Sequence, residues 1–187
     1  MRVIAGSARG RRLQCLDDRQ IRPTRDRIKE AVFSSLAQRL PDSRVLDLFA
    51  GSGALGIEAL SRGAKSAVFV EADSRACALI KSNLAHCGWD GPAAAPAVVR
   101  EDALLWLEAL RDGGFDIVFA DPPYHKGFEE AVLSLFADGN NISPGGILVL
   151  ESGVRQDLPD TRGRLYLWKS KVYGVTKISY YRINAEI

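Results

Sequence analysis

Short apolar runs recur along the chain at 45–49, 67–70, 97–99, 116–120 and 147–150, each bounded by turn residues. Most do not alternate with polar positions, which is the pattern of strands buried on both faces of a parallel sheet. Between them, 54–61, 74–87, 103–110 and 128–136 carry helix-like patterning. Strand–helix alternation of this kind predicts βαβ units and a doubly wound sheet. The ending differs. Segments 165–172 and 175–183 are β-rich and meet at Tyr173-Gly174, which predicts an antiparallel hairpin. Ahead of the first parallel strand lie a short Gly/Arg-rich β-like segment and a helix. That helix is expected to begin near Pro23-Thr24, with Thr24 as a good N-cap, and to run to about Leu40. Pro92 to Pro96 reads as a loop, and no internal repeat is present.

The chain has 187 residues and a mass of 20.4 kDa, which suits one domain around one continuous core. Hydrophobic residues make up 47% and charged residues 26%, so an intrinsically disordered chain is excluded. No apolar run approaches the ~20 residues that span a bilayer. The start, MRVIAGSARGRR, holds too short an apolar stretch for a secretory signal. Three cysteines without CxxC spacing, and only His86 and His125 beside them, argue against a zinc site or a disulfide framework. The expectation is a soluble, reduced, cytoplasmic protein without a metal.

The net charge of +2 hides an asymmetry. Residues 1–30 hold nine Lys/Arg against four Asp/Glu, residues 31–161 ten against eighteen, and residues 162–187 six against one. An acidic middle between basic ends suits a small-molecule site flanked by polyanion contacts, although a merely solvated basic surface would look the same.

The sharpest local signal follows the first strand. Asp47-Leu48-Phe49-Ala50-Gly51-Ser52-Gly53-Ala54-Leu55-Gly56 places Gly51, Gly53 and Gly56 in a G-x-G-x-x-G spacing at a strand-to-helix turn. The glycines alone say little, because any tight turn of this kind wants them. Asp47 discriminates: a carboxylate just before the loop repels a pyrophosphate and attracts a cation. S-adenosylmethionine, with a sulfonium and an α-amino group and no phosphate, fits that charge. An acid that only caps the amides of its own loop is the alternative. No Lys follows the glycines, so a triphosphate-binding P-loop is excluded. Glu71 ends the next strand twenty residues after Gly51, where an acid can accept from both ribose hydroxyls. Asp102 follows the third strand, where it can reach an adenine amine or simply cap a helix.

After the fourth strand comes Asp121-Pro122-Pro123-Tyr124. Two prolines fix the backbone and remove amide donors, leaving carbonyl acceptors facing outward. With the Asp121 carboxylate and the Tyr124 ring they form a site for a planar amine on an aromatic base. The amine donates to Asp121 and to the Pro122 carbonyl while the ring stacks. Acceptors placed there stabilise positive charge as it develops on the nitrogen. A rigid turn closing a strand is the plainer reading.

These residues carry a family resemblance. LDLFAGSGALGIEAL with VFVEAD resembles the cofactor half of class I S-adenosylmethionine-dependent methyltransferases, and DPPY resembles the motif of those that methylate base amines. The N-terminal RVIAG, RGRRL and RPTRDR, with the helix segment EAVF, are similar to bacterial 16S ribosomal RNA (guanine-N2)-methyltransferases over nearly the whole chain. Ser7-Ala8 and the 92–96 loop depart mildly from that pattern. The resemblance implies a Rossmann-like, mostly parallel sheet of seven strands with an antiparallel C-terminal hairpin, in a single domain. Residues 1–40 would be its RNA-contacting extension and 41–187 its catalytic core. It implies that Asp47, the loop Phe49, Ala50, Gly51, Ser52 and Gly53, and Glu71 hold the cofactor, that Asp102 and Ala103 meet its adenine, and that Asp121 to Tyr124 hold the guanine amine. The 16S RNA, within a small-subunit particle or assembly intermediate, would meet Arg2, Arg9, Arg11, Arg12, Arg22, Thr24 and Arg25 of a monomer. Rival readings are an adenine-N6 methyltransferase, which usually needs a separate recognition region, and a protein glutamine methyltransferase, which favours Asn in place of Asp121. A nicotinamide dehydrogenase is opposed by Asp47, and a non-catalytic RNA-binding protein has no need of DPPY.

Overall fold

The computed structural model describes residues 1–16, 23–91, 96–111, 113–123, 127–138 and 141–184. Helix α1 (Pro23–Leu36) and a 3-10 turn (Ala37–Arg39) precede β1 (Arg44–Leu48), α2 (Ala54–Ser61), β2 (Ser66–Glu71), α3 (Ser74–Cys87) and β3 (Ala97–Arg100). Then come α4 (Ala103–Ala109), β4 (Phe115–Ala120), α5 (Phe128–Asp138), β5 (Ile142–Gly153), β6 (Thr161–Arg162), β7 (Leu165–Tyr173) and β8 (Thr176–Ile183). One sheet runs in the order β3-β2-β1-β4-β5-β8-β7-β6, parallel from β3 to β5 and antiparallel thereafter. It has eight strands where seven were expected. The extra one, β6, is two residues pairing with the start of β7, too short to leave a hydrophobic pattern.

Strand alternation sorts the core into two layers. Val45, Ile117, Phe119, Ile147, Val149, Ile178 and Tyr180 pack beneath α1, α2 and α3. Leu46, Leu48, Val118, Ala120, Leu148, Leu150, Tyr181 and Ile183 pack beneath α4 and α5. Burial on both faces explains why the runs read as continuous. Three boundaries moved. Helix α1 stops at Leu36 and tightens into the 3-10 turn. Because it already includes Pro23, Thr24 falls inside its first turn instead of at the cap. Strand β5 extends to both sides of its apolar run: Pro144-Gly145-Gly146, a turn signal in sequence, is absorbed as an irregularity opposite β4. The hairpin turns at Gly174-Val175, with Tyr173 paired to Thr176 and Gly174 at φ +62°.

The first thirteen residues fold back on themselves through an Arg2–Arg12 bridge, with the Val3 N–H donating to the Arg11 carbonyl and the Leu13 N–H to that of Met1. Val3, Ala8 and Leu13 join the α1–α3 layer. Beneath them Glu58, fully buried in α2, accepts the amides of Ile4 (2.8 Å) and Ala5 (3.0 Å) and pairs with Lys29 (3.2 Å) and Arg62 (2.8 Å). Among the described residues, no helix is long and apolar enough to cross a membrane.

Candidate active site

The order of strands reverses between β1 and β4, and in doubly wound sheets the crevice beyond the carboxyl ends at that point is where ligands bind. A cavity of about 730 Å³ opens there. That volume lies within the ordinary range for a small-molecule site. The glycine loop forms one wall and Asp121, Pro122 and Pro123 another. Asp47, Arg25, Met1 and the hairpin residues Tyr173 to Thr176 complete the lining.

The loop is held from three directions. The Asp47 carboxylate accepts from the Gly56 amide at 2.8 Å. Glu71 accepts the Gly51 amide at 2.8 Å through one oxygen and the Asp73 amide at 2.9 Å through the other. Asn83, buried in α3, donates to the Ser52 carbonyl at 2.9 Å and exchanges bonds with the backbone of Gln14, tying the loop to the N-terminal segment. Phe49, at φ +58°, holds a backbone conformation that side chains resist, and its ring lies 5.7 Å from that of Phe128. Gly56 has no room for a side chain: a Cβ there would come within 2.3 Å of the Phe69 ring. The third glycine therefore lets α2 pack onto β2.

Of the sequence-predicted cofactor residues, Asp47, Phe49, Ala50, Gly51 and Ser52 line the cavity. Gly53 and Glu71 are not among its lining residues, though Glu71 holds the lining Gly51 by its amide. Asp102 caps α4, its carboxylate accepting the Leu104 and Leu105 amides at 2.9 and 3.1 Å, and Ala103 is buried against the α4–α5 layer. Tyr124, Arg22 and most of the 92–96 loop lie outside the described residues, as does the side chain of Thr24. Arg2, Arg9, Arg11 and Arg12 are exposed and none lines the cavity. Arg2 lies 3.9 Å from Asp26, and Arg11 donates to the His86 carbonyl.

Glu151 went unread in the sequence. Ala120 pairs with Leu150, so Asp121, just past β4, and Glu151, within β5, follow as neighbours, and both line the cavity. The signal was present: it closes an apolar run as Asp121 and Glu71 do. Burial and the Glu151 charge push the Asp121 carboxyl up to about 7, against the pull of Arg25. Asp47 is pushed up to about 8, chiefly by burial and further by Asp121 and Glu71, with the Gly56 amide opposing. A raised carboxyl pKa means that the folded state holds the proton more tightly than the unfolded one. Its contribution is complete below about 4 and lost as pH rises toward 8. Asp73, lowered to about 2 by Arg75, acts only in the acid range below that window. Thermal midpoints should therefore fall from pH 5 to pH 8, and Asp47→Asn should flatten the fall. Parallel curves for variant and wild type would show that Asp47 is not the group titrating.

A Rossmann-like sheet, a glycine loop preceded by a buried acid, and Asp-Pro-Pro at the neighbouring strand end together define a methyltransferase. The chain matches the family model described as "Conserved hypothetical protein 95" over residues 1–182, and it belongs to that family. It is 36% identical over 186 residues to Ribosomal RNA small subunit methyltransferase D of Escherichia coli (strain K12), spanning 100% of this chain and 91% of the relative. The Haemophilus influenzae protein of the same name is 36% identical over 184 residues, covering 97% and 93%. The solved structure of yhhF from Escherichia coli superposes with a TM-score of 0.85 at 34% identity, covering 100% and 99% of the two chains.

Proposed function

We propose that this chain transfers the methyl group of S-adenosylmethionine to the exocyclic N2 amine of one guanine in small-subunit ribosomal RNA. The relatives' names support ribosomal RNA as the substrate. The observation that favours guanine is the adjacent pair Asp121 and Glu151. Guanine presents two neighbouring donors on one edge, N1–H and N2–H, and two side-by-side carboxylates match them. Adenine offers its amine beside an acceptor nitrogen, which a second carboxylate repels.

The cavity wall fits the cofactor: among the described residues no cation pairs with the Asp47 carboxyl, whose proton burial retains, and the loop carries no lysine for a phosphate. When bound there, S-adenosylmethionine supplies an electrophilic methyl group on a sulfonium. Asp47 and the Phe49–Ser52 backbone hold it, and Glu71 fixes that backbone through Gly51. Asp121 and the Pro122 carbonyl accept from the N2 amine, Glu151 from N1–H, and Tyr124 stacks on the ring. These acceptors turn the nitrogen lone pair out of conjugation and stabilise the charge that develops on it. The methylated nitrogen is then acidic enough to lose its proton without a dedicated base. The base must leave its stack to enter, at a cost of a few kcal/mol. The RNA, within a small-subunit particle, is met by the N-terminal segment 1–40, with Arg2, Arg9, Arg11, Arg12, Arg22, Thr24 and Arg25 as its contact residues.

The test is methylation of small-subunit RNA from cells lacking the protein, followed by nucleotide mapping. One N2-methylguanine is expected; methyl label on adenine or on protein overturns the reading. Replacing the target guanine by 2-aminopurine keeps the amine but turns N1–H into an acceptor. The rate should fall about 10- to 100-fold, the worth of a hydrogen bond to a charged group, and Glu151→Ala should erase that difference. Discrimination that survives in Glu151→Ala would assign N1–H to another group.

A further inference from the structure

The antiparallel hairpin carries cations that methyl transfer does not use. An irregularity between Leu167 and Lys169 sets Lys169 opposite Tyr180, followed by Lys171 opposite Ile178 and Tyr173 opposite Thr176. Paired residues of an antiparallel ladder share a face, so Lys169, Lys171 and Tyr173 lie on the face of Ile178 and Tyr180, the face that opens into the cavity. The Lys169 ammonium sits 4.2 Å from the Trp168 ring centre and 4.5 Å from that of Tyr180, and the Arg182 guanidinium lies 3.8 Å from that of Trp168. Trp168 thus gathers two cations at the surface, itself 38% exposed.

These cations lack acids. Among the described residues no ion pair joins Lys169, Lys171, Lys177 or Arg182 to a carboxylate, and the buried Nε of Arg182 has no acceptor. Burial, Lys171 and Arg182 together lower the Lys169 pKa, so an anion arriving there relieves a strained charge. Lysines on a bare strand edge also guard against pairing with another chain. That role accounts for one or two exposed ammoniums. It does not account for a buried arginine Nε without an acceptor, or for cations stacked on a tryptophan.

We propose that this face of the β7–β8 hairpin is a docking track for the phosphates of the RNA strand on one side of the target guanine. The track begins at the cavity, which Tyr173 and Thr176 line together with Met1 and Arg25. At ~3.3 Å per residue, Lys171 stands about 7 Å and Lys169 about 13 Å along β7 from Tyr173. The contacts therefore fall within a few nucleotides of the modified base. The RNA spans the mouth, held by the N-terminal arginines on one side and the hairpin on the other. This inference rests on the reading of the chain as an RNA methyltransferase.

Affinity for small-subunit ribosomal RNA across a salt series tests it, with full-length wild type, Lys169→Ala/Lys171→Ala and the single exposed variant Lys171→Glu. Each lost phosphate contact should shrink the slope of log K against log salt by about 0.7, so the double variant should lose about 1.4 and bind several-fold more weakly at low salt. Lys171→Glu should also weaken binding, and Lys171→Arg should restore it. S-adenosylmethionine affinity, read by calorimetry, should match wild type in all of them. Wild-type slopes and affinities in both weakened variants would leave the lysines as edge guards and overturn the track. Absence of RNA affinity and of RNA methylation in wild type itself would instead overturn the reading on which the track rests.

Discussion

Asp121→Ala should lower the single-turnover rate of methyl transfer by about 10²- to 10³-fold, the usual loss when a preorganised partner of transition-state charge is removed. The residue lines the cavity from the end of β4 and not from the glycine loop, so S-adenosylmethionine affinity should stay within a factor of a few. Asp121→Asn separates shape from charge: it keeps an acceptor oxygen and should recover part of the rate. The pH profile adds a second readout. With its carboxyl pushed up to about 7, Asp121 gains charge as pH rises through neutrality, so the wild-type rate should climb to a plateau above about pH 8. The Asn variant should lose that limb. A rate within a few-fold of wild type in Asp121→Ala, measured on RNA that wild type methylates, would remove Asp121 from the chemistry.

Glu58→Ala should destabilise the fold by about 3–5 kcal/mol, the range for breaking a buried ion pair by deleting one partner. Glu58 is fully buried and Lys29 is only 4% exposed. Without the carboxylate, the amides of Ile4 and Ala5 lose their acceptor and the Lys29 ammonium loses its ion-pair partner, keeping the Arg2 carbonyl at 2.5 Å. Burial already lowers the Lys29 pKa, and Glu58 is its principal counterweight. Glu58→Gln, retaining an acceptor oxygen, should cost less. Urea unfolding measures both. A loss under about 1 kcal/mol in the Ala variant would mean that Val3, Ala8 and Leu13 hold the N-terminal segment by apolar packing alone.

The parallel half of the sheet was legible because strands buried on both faces leave unbroken apolar runs, and because Gly51, Gly53 and Gly56 mark a turn that few other residues can make. Asp121-Pro122-Pro123 was legible because two prolines after a strand constrain the backbone by covalent geometry alone. What escaped depends on partners distant in sequence. Nothing local to α2 marks Glu58, whose partners Ile4, Ala5 and Lys29 lie far away in sequence. Glu71 was read as a ribose acceptor; what no local pattern announced is that its two oxygens also hold the amides of Gly51 and Asp73. Asp102 had two readings, and local geometry satisfied the cap. Glu151 gained meaning only when strand register set it beside Asp121.

The position of β8 has a consequence for how the molecule comes into being. It is the last strand in the chain, yet it lies between β5 and β7. Synthesis runs from the N-terminus, so the five parallel strands emerge while the flank of β5 from Ile147 to Gly153 still lacks its partner. That open edge is a template for aggregation. The two-residue turn at Gly174-Val175 lets β7 and β8 pair locally and dock as one unit. Docking covers the edge and, in the same event, delivers Tyr173, Thr176 and Ile178 to the cavity. A nascent chain halted before β8 is therefore both sticky and without a finished site.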